Sequence, residues 1–209
     1  MSVLLRSDEA KETASLFTFL AYMLNNKPDE LLLEKLRENY KSDSSDSVEI
    51  EQFWQKYKDS ESSEIVQDLS VEWARLFRGT VKKQKPPYAG IYISKDGLGT
   101  EIMLSLKYMY DSHGFIPAKQ DRMDYLGTML DFLAGLLESY ALSTEKEQTD
   151  EANRCLATLK ELCLKYITPW LERFVNQTLT NTDNPLYRDY MFTLLESVGN
   201  ISDVLKQKM

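Results

Sequence analysis

Apolar residues recur along this chain at steps of three and four, from Ala10, Ala14, Phe17, Ala21 and Leu24 near the start to Tyr187, Met191, Leu194, Leu195 and Val198 near the end. That spacing returns side chains to one face of an α-helix and does not fit the two-residue alternation of a half-buried strand. Only the run Ala89–Ser94 has strand character, and neither an internal repeat nor a sustained heptad is present. The expected fold class is therefore all-α, an irregular multi-helix bundle of about eight to nine helices. At 209 residues and 43% hydrophobic content the chain has material for a real core. It is expected to form a single domain over residues 1–209, with an N-terminal helical lobe to about residue 115 and a C-terminal one from about residue 120.

Local signals place the elements. Ser7 can cap the first helix, and a second follows Pro28 with Leu32, Leu33 and Leu36 inward. Lys41–Ser47 is polar and low in complexity, which suggests a mobile surface loop, and a short helix then carries Phe53, Trp54 and Tyr57. The next helix runs from about Ser62 to Phe77, burying Ile65, Leu69, Trp73, Leu76 and Phe77, and Gly79 ends it. An irregular stretch from Arg78 to Gly99 is long enough to suggest a functional or structural crossing. Thr100 is expected to cap a helix that stops at His113-Gly114, and a long helix should cover about Asp121 to Leu142. Lys146–Tyr166 reads as one helix, Thr168-Pro169 as the cap and first position of the next, and Asn184-Pro185 as the start of the last.

Charge limits the partners. Against 25 Lys and Arg stand 33 Asp and Glu, a net charge of −8. Such a surface repels phosphate backbones and anionic lipid but draws in basic peptides, so neither nucleic acid nor stable membrane insertion is expected. The N-terminal residues lack the apolar run of a secretory signal, which points to a cytoplasmic protein. Cys155 and Cys163 lie eight apart in a helical pattern, about 12 Å along the axis, too far for a mutual disulfide. The single His113, with no Cys-x-x-Cys or Glu-x-x-His pair, gives no local metal motif, so no stoichiometric metal and no cofactor are expected.

Three segments stand out as candidate sites. Trp73, Leu76 and Phe77 read first as a packed helix face, but an acidic row, Glu61, Glu64, Asp68 and Glu72, runs beside them. An apolar-aromatic floor with a carboxylate rim suits a peptide that carries arginines next to leucines. Pro86-Pro87 would stiffen a ledge bearing Tyr88 and Tyr92, within a loop where Arg78, Lys82, Lys83, Lys85 and Lys95 face the single acid Asp96. That loop lacks the pattern of a phosphate-binding one. Asp121 and Asp124 fall where the long helix should begin, where the helix dipole favours carboxylates, and Asp131 returns to the face of Asp124. No nucleophile accompanies them, and general acid/base catalysis finds no support.

Taken in order, these segments resemble the TorD/DmsD/NarJ chaperones that mature molybdoenzymes, and the TorD/DmsD branch in particular. Trp73, Leu76 and Phe77 match an aromatic-x-x-Leu-Phe motif; Pro86, Pro87, Tyr88 and Tyr92 match a Pro-Pro-aromatic segment; Tyr110 and Gly114 match Tyr-x-x-x-Gly. Asp124, Leu130 and Phe132 match the helix opened by Pro-Asp-His. Ala89 and Gly90 stand where the family has Glu and Ser, Met123 and Tyr125 flank Asp124 where it has Pro and His, and Met129 replaces a Glu.

The resemblance implies a TorD-like fold and a non-enzymatic role. The protein would bind the twin-arginine signal peptide, or another segment, of the apo-form of a molybdoenzyme catalytic subunit similar to dimethyl sulfoxide or trimethylamine N-oxide reductase. It would hold back export until the cofactor is inserted. The implied peptide-binding residues are Glu72, Trp73, Leu76, Phe77, Pro86, Pro87, Tyr88, Tyr92, Asp121 and Asp124. The alternatives are a helical adaptor or regulator without an export client, and a small nucleotide-binding enzyme. The long crossing and the connection 114–119 suggest a monomer with a minor domain-swapped dimer.

Overall fold

In the computed structural model, residues 5–42, 47–79, 84–95, 99–117 and 122–207 are described. They form α1 (Ser7–Asn25), α2 (Glu30–Ser42), α3 (Val48–Lys56), α4 (Ser62–Phe77), α5 (Ala89–Ile93), α6 (Thr100–Ser112), α7 (Leu126–Glu145), α8 (Thr149–Glu161), a π-helical segment (Leu162–Ile167), α9 (Thr168–Asn181) and α10 (Pro185–Lys206). The all-α expectation is met: among the described residues there is no strand, only the isolated bridge between Tyr88 and Tyr125. No helix among them is long and apolar enough to cross a membrane.

Several boundaries differ from expectation for physical reasons. The Ala89–Ser94 run forms the short helix α5, with Ser94 N–H bonded back to Gly90. Helix α2 reaches Ser42, into the stretch expected to be a loop, and residues 43–46 of that stretch lie outside the described residues. Arg6, rather than Ser7, precedes α1, and its N–H donates to Glu9 Oε2 at 3.0 Å. Gly99, not Thr100, is the N-cap of α6. Helix α7 starts at Leu126, so Asp124 lies before it and not in its first turn.

The largest difference is at Pro169. Proline has no N–H to give the carbonyl four residues back, and its ring collides with that carbonyl in a regular helix. The chain does not restart there with Thr168 as a cap. Thr168 keeps helical angles, φ −53° and ψ −38°, and its N–H bonds to Cys163 O in the wider π register. The helix therefore continues from α8 into α9 through a π turn that absorbs the proline.

The chain forms two compact units that interleave along the sequence, whereas the expected lobes are consecutive. One comprises Met1–Asn25, Pro87–Glu172 and Glu196–Met209, the other Asn26–Pro86 and Arg173–Leu195. In the first, α7 lies along α1 and α8. Ala10, Ala14 and Ala21 keep the α1 face small, while Leu126, Leu130, Leu133 and Leu137 are buried from α7. Tyr125 Oη donates to Leu24 O at 2.7 Å, and Asn25 Nδ2 to Gly127 O at 3.2 Å, fixing the end of α1 at the start of α7. In the second unit Phe77 meets Phe174, Tyr187 and Tyr190 at ring separations of 6.4, 5.6 and 6.3 Å, and Tyr187 Oη donates to Leu69 O at 2.8 Å.

The first unit also contains a backbone crossing that only glycine permits. A Cβ on Gly90 would stand 2.7 Å from Gly99 Cα and 2.9 Å from Asp124 Oδ2; Gly99 itself has φ +70°. Gly90→Ala is expected to lower stability by roughly 1–3 kcal/mol through overpacking, and Gly99→Ala by at least as much, because its left-handed backbone adds strain. Midpoints of denaturant unfolding check both; wild-type midpoints would show that the crossing is not tight.

Candidate functional site

Helix α4 in the second unit presents two faces. One carries Ile65, Leu69, Leu76 and Phe77 into the core, and Leu76 and Phe77 have no exposed surface. Although the sequence suggested they line a peptide-binding face, both are enclosed in this unit. The other face carries Val66, Ser70, Val71 and Ala74 at helical spacing and lines an open groove of about 890 Å³ together with Lys27, Pro28, Asp29 and Glu30 from the approach to α2. Ser70 Oγ donates to Pro28 O at 3.1 Å and so holds that approach against α4. Trp73 sits where the two faces meet: only 8% exposed, it contributes an edge to the groove and has the Arg78 guanidinium 4.7 Å over its ring.

Of the acidic row, Glu61, Glu64 and Asp68 are exposed. Glu72 is engaged internally: it accepts from Arg75 Nε at 2.6 Å, Arg75 Nη2 at 2.5 Å and Thr182 Oγ1 at 2.5 Å. The hydrogen bonds to Glu72 hold the Arg75 guanidinium above its ordinary pKa. Arg75 Nη2 also donates to Asn181 O, whose side chain joins Gln84 at 3.1 Å. Pro86 is half-buried beside Gly79.

The remaining predicted residues belong to the first unit. Tyr88 and Tyr125 form an isolated antiparallel bridge: Ala89 N–H donates to Asp124 O at 2.9 Å and Leu126 N–H to Pro87 O at 2.8 Å. The fully enclosed Asp124 accepts from Gly90 N–H at 2.8 Å and from Arg122 Nε and Nη2 at 2.9 and 3.0 Å. Arg122 in turn lies 5.0 Å from the centre of the half-buried Tyr88 ring. Tyr92 is stacked on Trp170 at 4.8 Å. Tyr110, buried and donating to Met123 O at 2.8 Å, has its pKa raised by burial and then by Asp124. Asp121, Lys82, Lys83 and Asp96 lie outside the described residues.

Sequence reasoning missed Val66, Val71 and Pro28 as groove residues and Arg122 as the partner of Asp124. The signal for the first was a second run of small and apolar residues at 66, 70 and 74 on α4. For Arg122 the signal was only its place two residues before Asp124. The groove is open and largely apolar, with Asp29, Glu30 and Lys27 at its edge.

The family model described as nitrate reductase delta subunit matches residues 43–176. Two curated relatives are each called chaperone protein TorD: that of Vibrio vulnificus strain YJ016 is 29% identical over 110 residues, 51% of each chain. The protein of strain CMCP6 is 30% identical over 110 residues, 51% of this chain and 50% of the relative. The chain thus spans about half the length of the curated relatives it matches.

Two predictions follow from the side chains of the first unit. Asp124→Asn removes the enclosed charge that the Arg122 guanidinium and the Gly90 amide are arranged around, so stability should fall by roughly 1–3 kcal/mol in chemical denaturation; an unchanged midpoint would contradict the tie. Burial raises the Asp131 pKa above its ordinary value, so its ionised form is disfavoured in the fold. That penalty is absent at acid pH, grows as pH rises past the unfolded carboxylate pKa and is complete above the folded one. Asp131→Asn should therefore raise the melting temperature at pH 7, and the gain should vanish below the carboxylate range.

Proposed function

Because the chain belongs to the nitrate reductase delta subunit family, that of the TorD/NarJ chaperones, we propose that it is a maturation chaperone that binds a segment of an apo-molybdoenzyme. The segment is the twin-arginine signal peptide or another stretch of the client, held until the cofactor is inserted and before export. The observation that carries this reading is the α4 groove, whose apolar wall, Val66, Val71, Ala74 and the Trp73 edge, lies beside Asp29 and Glu30. Val71 is 64% exposed and so leaves apolar surface in water on that wall.

The energetics favour the apolar part of such a segment. Each leucine laid fully against the wall would contribute about 1.5–3 kcal/mol before ordering costs, whereas an exposed arginine-carboxylate pair adds about 0–1 kcal/mol. The net charge of −8 draws the basic end of the peptide in and sets its direction. Recognition, not catalysis, is the role this chemistry supports.

Calorimetric titration with a client twin-arginine peptide tests the reading. Val71→Lys changes an exposed position, so the melting temperature should stay close to wild type while affinity falls by roughly tenfold or more, about 1.4 kcal/mol. Raising salt should slow association yet leave much of the affinity. Affinity unchanged in Val71→Lys would place the contact away from the groove.

A further inference from the structure

Away from the groove and the Asp124 tie, the first unit brings together three side chains of different ligand chemistry. His113, Glu151 and Cys155 each offer one ligand atom, and these atoms all lie within 4.8 Å of one another. Glu151 and Cys155 are one turn apart on α8 and share a face, and His113 reaches them from the C-cap of α6. Cys155 Sγ stands 3.8 Å from Glu151 Oε1. Sulfur and oxygen ligands on one tetrahedral ion, with bonds of about 2.3 and 2.0 Å, would be about 3.5 Å apart.

The surroundings suit the same use. His113 Nε2 is 2.8 Å from Thr158 Oγ1, and the one hydroxyl hydrogen of Thr158 goes to Arg154 O at 3.1 Å. In the tautomer that donates Nε2–H to Thr158, the Nδ1 lone pair is the one available to an ion, as in histidine ligands whose outer N–H is anchored. Cys155 is packed from behind by Ala10, Tyr140 and Ala141, which fixes its side chain toward Glu151. Arg154 covers Glu151 with two hydrogen bonds, Nη2 to Oε1 at 2.8 Å and Nε to Oε2 at 3.0 Å, between side chains 52% and 40% exposed, so a bound ion competes with a solvent-screened pair for the carboxylate.

We propose that His113, Glu151 and Cys155 form a zinc-type site, with water in the fourth position, that clips the end of α6 to α8. One imidazole, one thiolate and one carboxylate suit zinc and not the oxygen-seeking calcium or magnesium. On binding, the S–H proton passes to solvent, Arg154 releases Glu151, and no electron moves. No local motif announces the site, because the fold and not the spacing brings His113 to α8. It is independent of the client-binding reading.

Zinc titration by calorimetry and cobalt titration by absorbance, both on the chelator-treated full chain, test the proposal. One ion per chain is expected, with a thiolate-to-cobalt charge-transfer band in the near ultraviolet. The band should vanish in Cys155→Ala and remain in Cys163→Ala. Zinc affinity should fall about tenfold or more in Glu151→Gln, a change at a partly exposed side chain that leaves folding intact. A wild-type protein without the band, a band that survives Cys155→Ala, or zinc affinity unmoved by Glu151→Gln would overturn the proposal.

Discussion

A single enclosed carboxylate holds the middle of the first unit together. Asp124 has no exposed surface, and its oxygens are divided between the Gly90 amide and the Arg122 guanidinium. With the backbone exchange around Tyr88 and Tyr125, this ties the segment after the two prolines to the segment that opens α7. A buried charge is tolerated only where partners replace its lost hydration, so the glycine at position 90 and the arginine at position 122 are requirements of that carboxylate. The Gly90–Gly99 crossing follows, since any side chain at 90 would meet Asp124.

The residues that match the family motifs are largely enclosed. Leu76, Phe77, Tyr92, Tyr110 and Asp124 are all buried, and each is occupied by a core contact, a ring stack or a hydrogen bond within its own unit. Trp73 is the motif residue that also reaches the groove. On the proposed reading, motifs identify the fold while the client-facing surface is built from residues between them, such as Val66, Val71 and Pro28.

Much of the helical frame was legible because amphipathic periodicity is a local property: α4 occupies the span expected of it, and α1 and α10 bury nearly the faces read from their spacing. Where local rules compete, reading them separately misled. Thr168-Pro169 has the composition of a helix start, yet the helix runs on and a π turn accommodates the proline. Asp124 looks like a first-turn carboxylate, but the bridge to Tyr88 delays α7 until Leu126. The burial of Leu76 and Phe77 and the meeting of His113 with Cys155 depend on residues distant in the chain, and spacing carries no record of such partners.

The proposed client contact on α4 can be tested without any substitution by hydrogen-deuterium exchange of the full chain, with and without saturating twin-arginine peptide. Exchange should slow on binding in the segment spanning residues 63–74, and in the approach to α2 at 27–30, because bound peptide excludes water and suppresses local opening there. Protection confined to 87–93 and 122–126, with 63–74 unchanged, would contradict the account and move the contact to the Tyr88 and Arg122 region.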